Sequence, residues 1–248
     1  MNNSAPLSVA LKHGDIKQLF DNIYFVTGTV TMTKPLSMSF SRNMCIVKQG
    51  SQLVLINSVQ LSPAGLSQLD MLGKVSDVIR LAAFHGMDDP FYKHHYGAKV
   101  WSVDAPYNSE LSRVAKQENI YFEPDHILST QQTKLPINDA KYIEISSAEP
   151  KESLILLPQN KGVLIAGDSL QNWQTADSYF NFAGAVLMKM MGFLKAYNVG
   201  PGWLKMAKPE KNEIKSLLEL DFEHVIPAHG SPVIKNAKQH FSGAITRL

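Results

Sequence analysis

Two packed β-sheets with helices outside both, a four-layer αβ/βα sandwich of the α/β (α+β) class, is the architecture predicted by the order of elements along these 248 residues. Three observations carry this. Apolar, β-branched runs alternate with helix starts through the first half. Strand-like runs at 142–145, 153–157 and 162–166 then follow in quick succession. Helical stretches fill the chain from Asp177 until a last apolar run, 222–226 (FEHVI). A chain of this length can bury one large core, and 1–248 is read as a single domain.

The elements follow in order. After an amphipathic start, 23–30 (IYFVTGTV), 44–47 (MCIV) and 52–56 (QLVLI) carry the β-branched and apolar residues of strands. The stretch 31–42, with Pro35 and several Ser and Thr, reads as a hairpin or rim loop. Residues 48–51 (KQGS) form a tight turn. Ser62 followed by Pro63 marks an N-cap and a first helical residue, starting a helix that runs to Leu69. The run 78–84 (VIRLAAF) is the pattern of a strand buried on both faces, and Asp89 then Pro90 opens the next helix. Residues 98–103 form a strand and 111–117 a short helix. The Met-rich segment 182–194 (FAGAVLMKMMGFL) reads as a buried helix, with a partner-facing surface as the alternative.

Composition excludes several classes. With 24 basic against 22 acidic residues and no basic run, nucleic acid is not an expected partner. The single cysteine, Cys45, lies in a strand-like run away from His and Asp, which suits a buried, inert thiol and a reducing compartment. The first twenty residues lack the charge-then-apolar order of a signal peptide, and no run is long enough to span a bilayer. A cytoplasmic protein without a membrane partner is therefore expected, acting on a small molecule, with a homo-oligomer open.

Chemistry concentrates at three strand ends. The run 78–84 leads to His85, Asp88 and Asp89; 162–166 (GVLIA) leads to Gly167 and Asp168; Val225 and Ile226 lead to His229 and Gly230. Polar groups outside the carboxyl ends of strands are where such folds place their sites. If these ends share one rim, His85, Asp89, Asp168 and His229 come together. Imidazole and carboxylate suit zinc, iron or manganese, any of which would acidify a bound water.

With HGMDD, the later LIAGD and the final IPAHG in this order, the sequence resembles the metallo-β-lactamase fold superfamily over nearly its whole length. The pattern of that superfamily is His-x-His-x-Asp-His, then a lone His, an Asp after Gly, and a late His before Gly. His85, Asp89, Asp168 and His229 match. Met87 and Pro90 stand in place of two histidines, and the lone His falls near Glu149. A thioether is a poor ligand for these cations, so the resemblance implies one divalent metal ion or none, held by Asp89, Asp168 and His229 with His85 or Asp88 in reach. It implies a metal-dependent hydrolase, at most mononuclear, with His85 or Asp88 taking the proton. Its alternative is a catalytically silent member that binds a ligand or a protein.

Plainer readings stand beside these. Asp88 and Asp89 could do no more than cap a helix, His85 and His229 could be hydrogen-bonded structural histidines, and Gly-Asp is ordinary turn chemistry. His94, His95 and His126 are expected on the surface, and Phe91 and Tyr92 against the helix. Trp203, in 197–205, either covers the site or belongs to a helix connection. Residues 167–170 spell the serine block of the GDSL esterases, and Asp221 with His224 imitates their Asp-x-x-His element. The expected spacing and intervening blocks are missing, which argues against Ser169 as nucleophile.

Overall fold

The structure is a computed structural model that describes residues 7–33, 36–108, 120–130 and 134–248. The first sheet has seven strands in the order β1 (Lys17–Phe20), β2 (Ile23–Met32), β3 (Met38–Gln49), β4 (Gln52–Ile56), β5 (Lys74–Arg80), β6 (Lys99–Ser102) and β9 (His126–Ile127). β1 to β4 are antiparallel neighbours, and β4, β5, β6 and β9 are parallel. α1 (Pro63–Leu72) and α2 (Asp89–Tyr96) supply the crossovers on either side of β5. A short ribbon joins β7 (Tyr107–Asn108) to β8 (Ile120–Phe122). The second sheet runs β10 (Lys141–Ile145), β11 (Glu152–Leu157), β12 (Val163–Ile165) and β15 (His224–Ile226). Between β12 and β15 the chain makes the small pair β13 (Leu170–Gln171) and β14 (Asn198–Val199), α3 (Phe182–Met190), α4 (Pro201–Ala207) and α5 (Lys211–Lys215). It ends in α6 (Ala237–Ile245).

Strand pleating builds the four layers. In β3 and β4, Met44, Ile46, Leu53 and Leu55 pack with Leu69 of α1 and Tyr92 of α2, while Cys45, Val47, Val54 and Ile56 face the opposite way. Those alternate residues meet Ile155, Leu157, Val163 and Ile165 of the second sheet. The next residues along, Leu154, Leu156 and Leu164, pack with Trp203 of α4 and Phe241 of α6. Every one of these strands is apolar on both sides because both of its faces are covered, which is why the runs read as continuous rather than alternating.

Several sequence expectations are corrected. The strand expected at 78–84 ends at Arg80, and its last residues enter a loop. Of the two readings of 31–42 the hairpin holds and the rim loop does not: Thr31 pairs with Ser39 and Gly28 with Arg42, with a Thr31–Ser39 hydroxyl contact of 2.9 Å supporting the register. His126 is a strand residue stacked 3.9 Å from Trp101 rather than a loop residue. Trp203 is buried in the second core and covers nothing. The segment 182–194 is not a buried helix, because Phe182 is 87% exposed and Met190 78%. Ser62 caps α1 as expected, accepting from the Gly65 N–H. Burial leaves Cys45 2% exposed and pushes its thiol well up, as suits an inert group. The helix expected at 111–117 lies outside the described residues. Among the described residues no helix is long and apolar enough to cross a membrane.

Candidate metal centre

Among the described residues, His85, Asp168 and His229 bring one ligand atom each within 4.8 Å of one another. Each stands just past a strand. His85 follows β5 in a loop stitched to the second sheet by a bridge between Ala82 and Glu152 and by Ser153 N–H donating to the Leu81 carbonyl at 2.8 Å. Asp168 and His229 follow β12 and β15, whose parallel register, Leu164 beside Val225, ends both strands at the same edge.

Their presentation is specific. Asn43 of β3 donates to the Pro227 carbonyl at 2.9 Å and to the Gly230 carbonyl at 2.6 Å, fixing the loop that holds His229. Gly230 has φ +86°, and a Cβ there would collide with the Asn172 backbone, so no other residue fits this turn. Trp173 lies against the His229 ring, with centroids 4.8 Å apart, and is itself fixed by donating to the Ser41 hydroxyl at 2.7 Å.

Asp168 lies between the imidazoles: His85 Nε2 is 3.3 Å from its Oδ2 and His229 Nε2 is 3.1 Å from its Oδ1. Burial alone would raise the Asp168 carboxyl, but His85 first and His229 with it outweigh burial and hold it well below the usual carboxylate range. Apart from that long approach of His85, its buried Oδ2 has no hydrogen-bond partner among the described residues. The His229 tautomer follows from its other nitrogen. Nδ1 lies 3.1 Å from the Ser41 carbonyl oxygen, which can only accept, so Nδ1 carries the hydrogen. Nε2 then faces the Asp168 carboxylate. Only a cation between them, a second ring proton or a metal ion, makes that approach favourable. Two imidazole nitrogens and a carboxylate within 4.8 Å of one another are donors of the kind that zinc takes.

The remaining sequence candidates go elsewhere. Asp88 pairs with the buried guanidinium of Arg42 and accepts from the Gln60 N–H at 2.6 Å, so it is not poised to take a proton from anything at the imidazoles. Asp89 accepts from the Ser58 hydroxyl at 2.6 Å and from the Tyr107 hydroxyl at 2.5 Å, with Arg80 stacked on the Tyr107 ring at 3.8 Å. Its carboxylate is thus committed to hydroxyls, and it is absent from the His85 cluster. Neither aspartate caps α2 through its side chain. Asp88 stands at the N-cap position in helical conformation, and Asp89, expected as the cap, is the first helical residue. Gly86 brings the two networks close, since a Cβ there would meet Arg80, Tyr107 and the Asp89 carboxylate at 2.5–2.8 Å, and its φ is +95°.

Glu149 is exposed and outside the cluster. The buried acid of that loop is Glu152, which sequence reading passed over. It is fully buried, accepts from the Ser169 N–H at 2.5 Å, and leaves Oε2 without a partner among the described residues. Burial first, then repulsion from Asp168, push the Glu152 carboxyl well above the usual range. The signal was present, because a glutamate opens the otherwise apolar run ESLILL. His224 spends both ring nitrogens on backbone, Nε2 facing the Asn160 carbonyl and Nδ1 accepting from the Lys235 N–H. It pairs with Val163 at the start of β12, whereas Ser169 lies beyond the far end of that strand, so no Ser-His pair forms. His94 and His95 are exposed, and Tyr92 is buried with its hydroxyl on the Val59 carbonyl. A cavity of about 300 Å³ borders Gly230, but its wall is Lys17, Phe25, Asp177, Tyr179 and their neighbours, not the three ligand candidates.

Comparison with solved structures defines the fold. The chain has the metallo-β-lactamase fold, and it superposes on such enzymes over nearly its whole length. DIM-1 metallo-β-lactamase is 12% identical, with a TM-score of 0.64 over 95% of this chain and 99% of that one. VMB-1 is 15% identical, with a TM-score of 0.62 and coverage of 97% and 98%. The metallo-β-lactamase FIM-1 from Pseudomonas aeruginosa, solved in a mono-zinc form, is 11% identical, with a TM-score of 0.59 and coverage of 98% and 97%. No protein-family model matches the sequence. No curated protein sequence matches it.

Proposed function

We propose that the protein is a metal-dependent hydrolase with a single divalent ion, zinc, iron or manganese, held by His85, Asp168 and His229. The observation that carries this is the convergence of three ligands: His85 Nε2 and His229 Nε2 lie 3.3 and 3.1 Å from the two oxygens of the Asp168 carboxylate, and the Ser41 carbonyl accepts from His229 Nδ1 and so turns Nε2 to the site. Two imidazoles and a carboxylate form a borderline donor set for these ions, and a metal bound there would supply Lewis acidity and an acidified water. The fold, shared with the mono-zinc FIM-1, supports the same reading. Asp89 and Asp88 take no part in this reading, since each is committed to its own buried partners.

The chain's own residues do the rest. The Ser41 carbonyl fixes His229 for ligation, in the way that outer hydrogen bonds orient metal-binding histidines. Trp173 and Phe40, whose ring lies 6.0 Å from His229, wall that side of the site with apolar surface and keep water from it. Protein purified without a metal-affinity step should contain about one equivalent of zinc, iron or manganese, and Asp168→Ala none, with ester or phosphoester hydrolysis lost in parallel. Parent protein that stays metal-free after incubation with all three ions would sink this reading in favour of a silent, ligand-binding fold.

A further inference from the structure

We propose that the face formed by α3 and the β2–β3 hairpin docks on an anionic lipid surface. Phe182, Val186 and Met190 recur every fourth residue along α3 and are 87%, 41% and 78% exposed, while Gly184 and Met188 on the other side are buried. Met191 and Leu36, 48% and 51% exposed, extend the patch. The helix is held rigidly to the hairpin. Asn181 Oδ1 accepts from the Gly184 N–H at 2.7 Å and the Ser39 N–H at 3.1 Å, and Nδ2 donates to the Ser37 carbonyl at 3.1 Å. A Cβ on Gly184 would collide with the Ser39 carbonyl, so that glycine lets the helix lie directly on β3. The apolar stripe is thus displayed by a pre-formed element.

Charge identifies the occupant. α3 and the hairpin residues beside it, Leu36 to Phe40, contain no Asp or Glu, Lys189 is on α3 and Lys195 just past it, and the nearest acid in sequence is Asp177, five residues before the helix. Lys189 is exposed on α3 between Val186 and Met190. Exposed aromatic and aliphatic side chains with lysine beside them and no carboxylate match an anionic headgroup layer, where the apolar tips insert and the ammonium groups meet phosphates. A second copy fits less well, because a two-fold interface sets the patch against itself and brings lysines together with no acid to answer them. Lying on a bilayer requires no spanning helix, so the lack of one among the described residues is no obstacle. The face also adjoins the candidate centre: Phe180, two residues before α3, lies 5.6 Å from the Trp173 ring that packs on His229.

Co-sedimentation with phosphatidylcholine vesicles, with and without phosphatidylglycerol, tests this without reference to activity. Parent protein should pellet with the anionic vesicles, weakly with the neutral ones, and less as salt rises. Phe182→Asp combined with Met190→Asp should fall to background with an unchanged melting temperature, and Lys189→Ala should lose about five-fold in partitioning. The proposal is overturned if the parent ignores anionic vesicles, if the double variant binds as the parent does, or if the parent is a dimer that the double variant dissolves.

Discussion

Asp89 and Asp168 are the same residue type, both buried, one opening α2 and the other just beyond β12, and their surroundings drive them in opposite directions. Burial raises the Asp89 carboxyl, and the hydroxyls of Ser58 and Tyr107 with the charge of Arg80 do not overcome it. Burial also opposes ionisation of Asp168, but there two imidazoles prevail and the carboxyl falls. Hydroxyls can donate to either form of a carboxyl group, whereas a cationic site recognises only the anion. Burial therefore does not decide which aspartate can hold a metal. The charge of what faces it does.

The largest effect that would test this contrast concerns Asp88, the other acid of the first loop. Asp88→Ala leaves the Arg42 guanidinium buried and unpaired, and should destabilise the fold by about 3–5 kcal/mol in urea titration. Metal content of whatever remains folded should be unchanged. Asp168→Ala should do the reverse, abolishing metal binding with a smaller change in metal-free stability. If both variants lost metal equally, the division between a structural and a ligating acid would fail.

Next in size is the metal itself. At about a hundred-fold excess over its dissociation constant, a bound ion adds about 2.7 kcal/mol to stability. Chelation should therefore lower the melting temperature of the parent and leave Asp168→Ala unmoved. A chelator response surviving in Asp168→Ala would place the ion elsewhere. Asp89→Ala follows, removing the acceptor for two buried hydroxyls at a cost of about 1–3 kcal/mol, again at full metal occupancy.

How much of this was legible depends on how far apart the partners lie in sequence. The layers could be read because continuous apolar runs imply strands covered on both faces, and Leu154 to Leu157 divide their side chains between two cores as such runs must. Asp168 and His229 could be read because each follows a short run with a glycine beside it, and the parallel register of β12 and β15 does the rest. The fates of Asp88 and Asp89 could not. Arg42 is 46 residues from Asp88, and Tyr107 is 18 from Asp89, so neither partner enters a local reading. The Ser41 carbonyl that sets the His229 tautomer is backbone and carries no residue signal at all. The exposure of α3 was hidden for a related reason, since an apolar segment of that length looks the same whether one face or all of it is covered.

The smallest effect is the most direct measure of the Asp89 contrast. Its folded pKa lies above the unfolded value of about 3.9, so the acid form is the one the fold prefers. That contribution is fully present below the unfolded pKa and is lost as pH rises through the folded pKa. Asp89→Asn keeps the shape and cannot ionise. Relative to the parent it should therefore gain stability as pH climbs above about 4, with the difference levelling off once the parent's carboxyl has ionised. Asp168 carries the opposite sign, its contribution present above about 4 and lost on acidification. In metal-free protein Asp168→Asn should thus fall increasingly below the parent as pH rises toward about 4 and keep that deficit above it, where Asp89→Asn gains. Paired urea titrations from acid to neutral pH would show the two difference curves diverging. Curves of the same sign would mean that the two aspartates share one electrostatic environment after all.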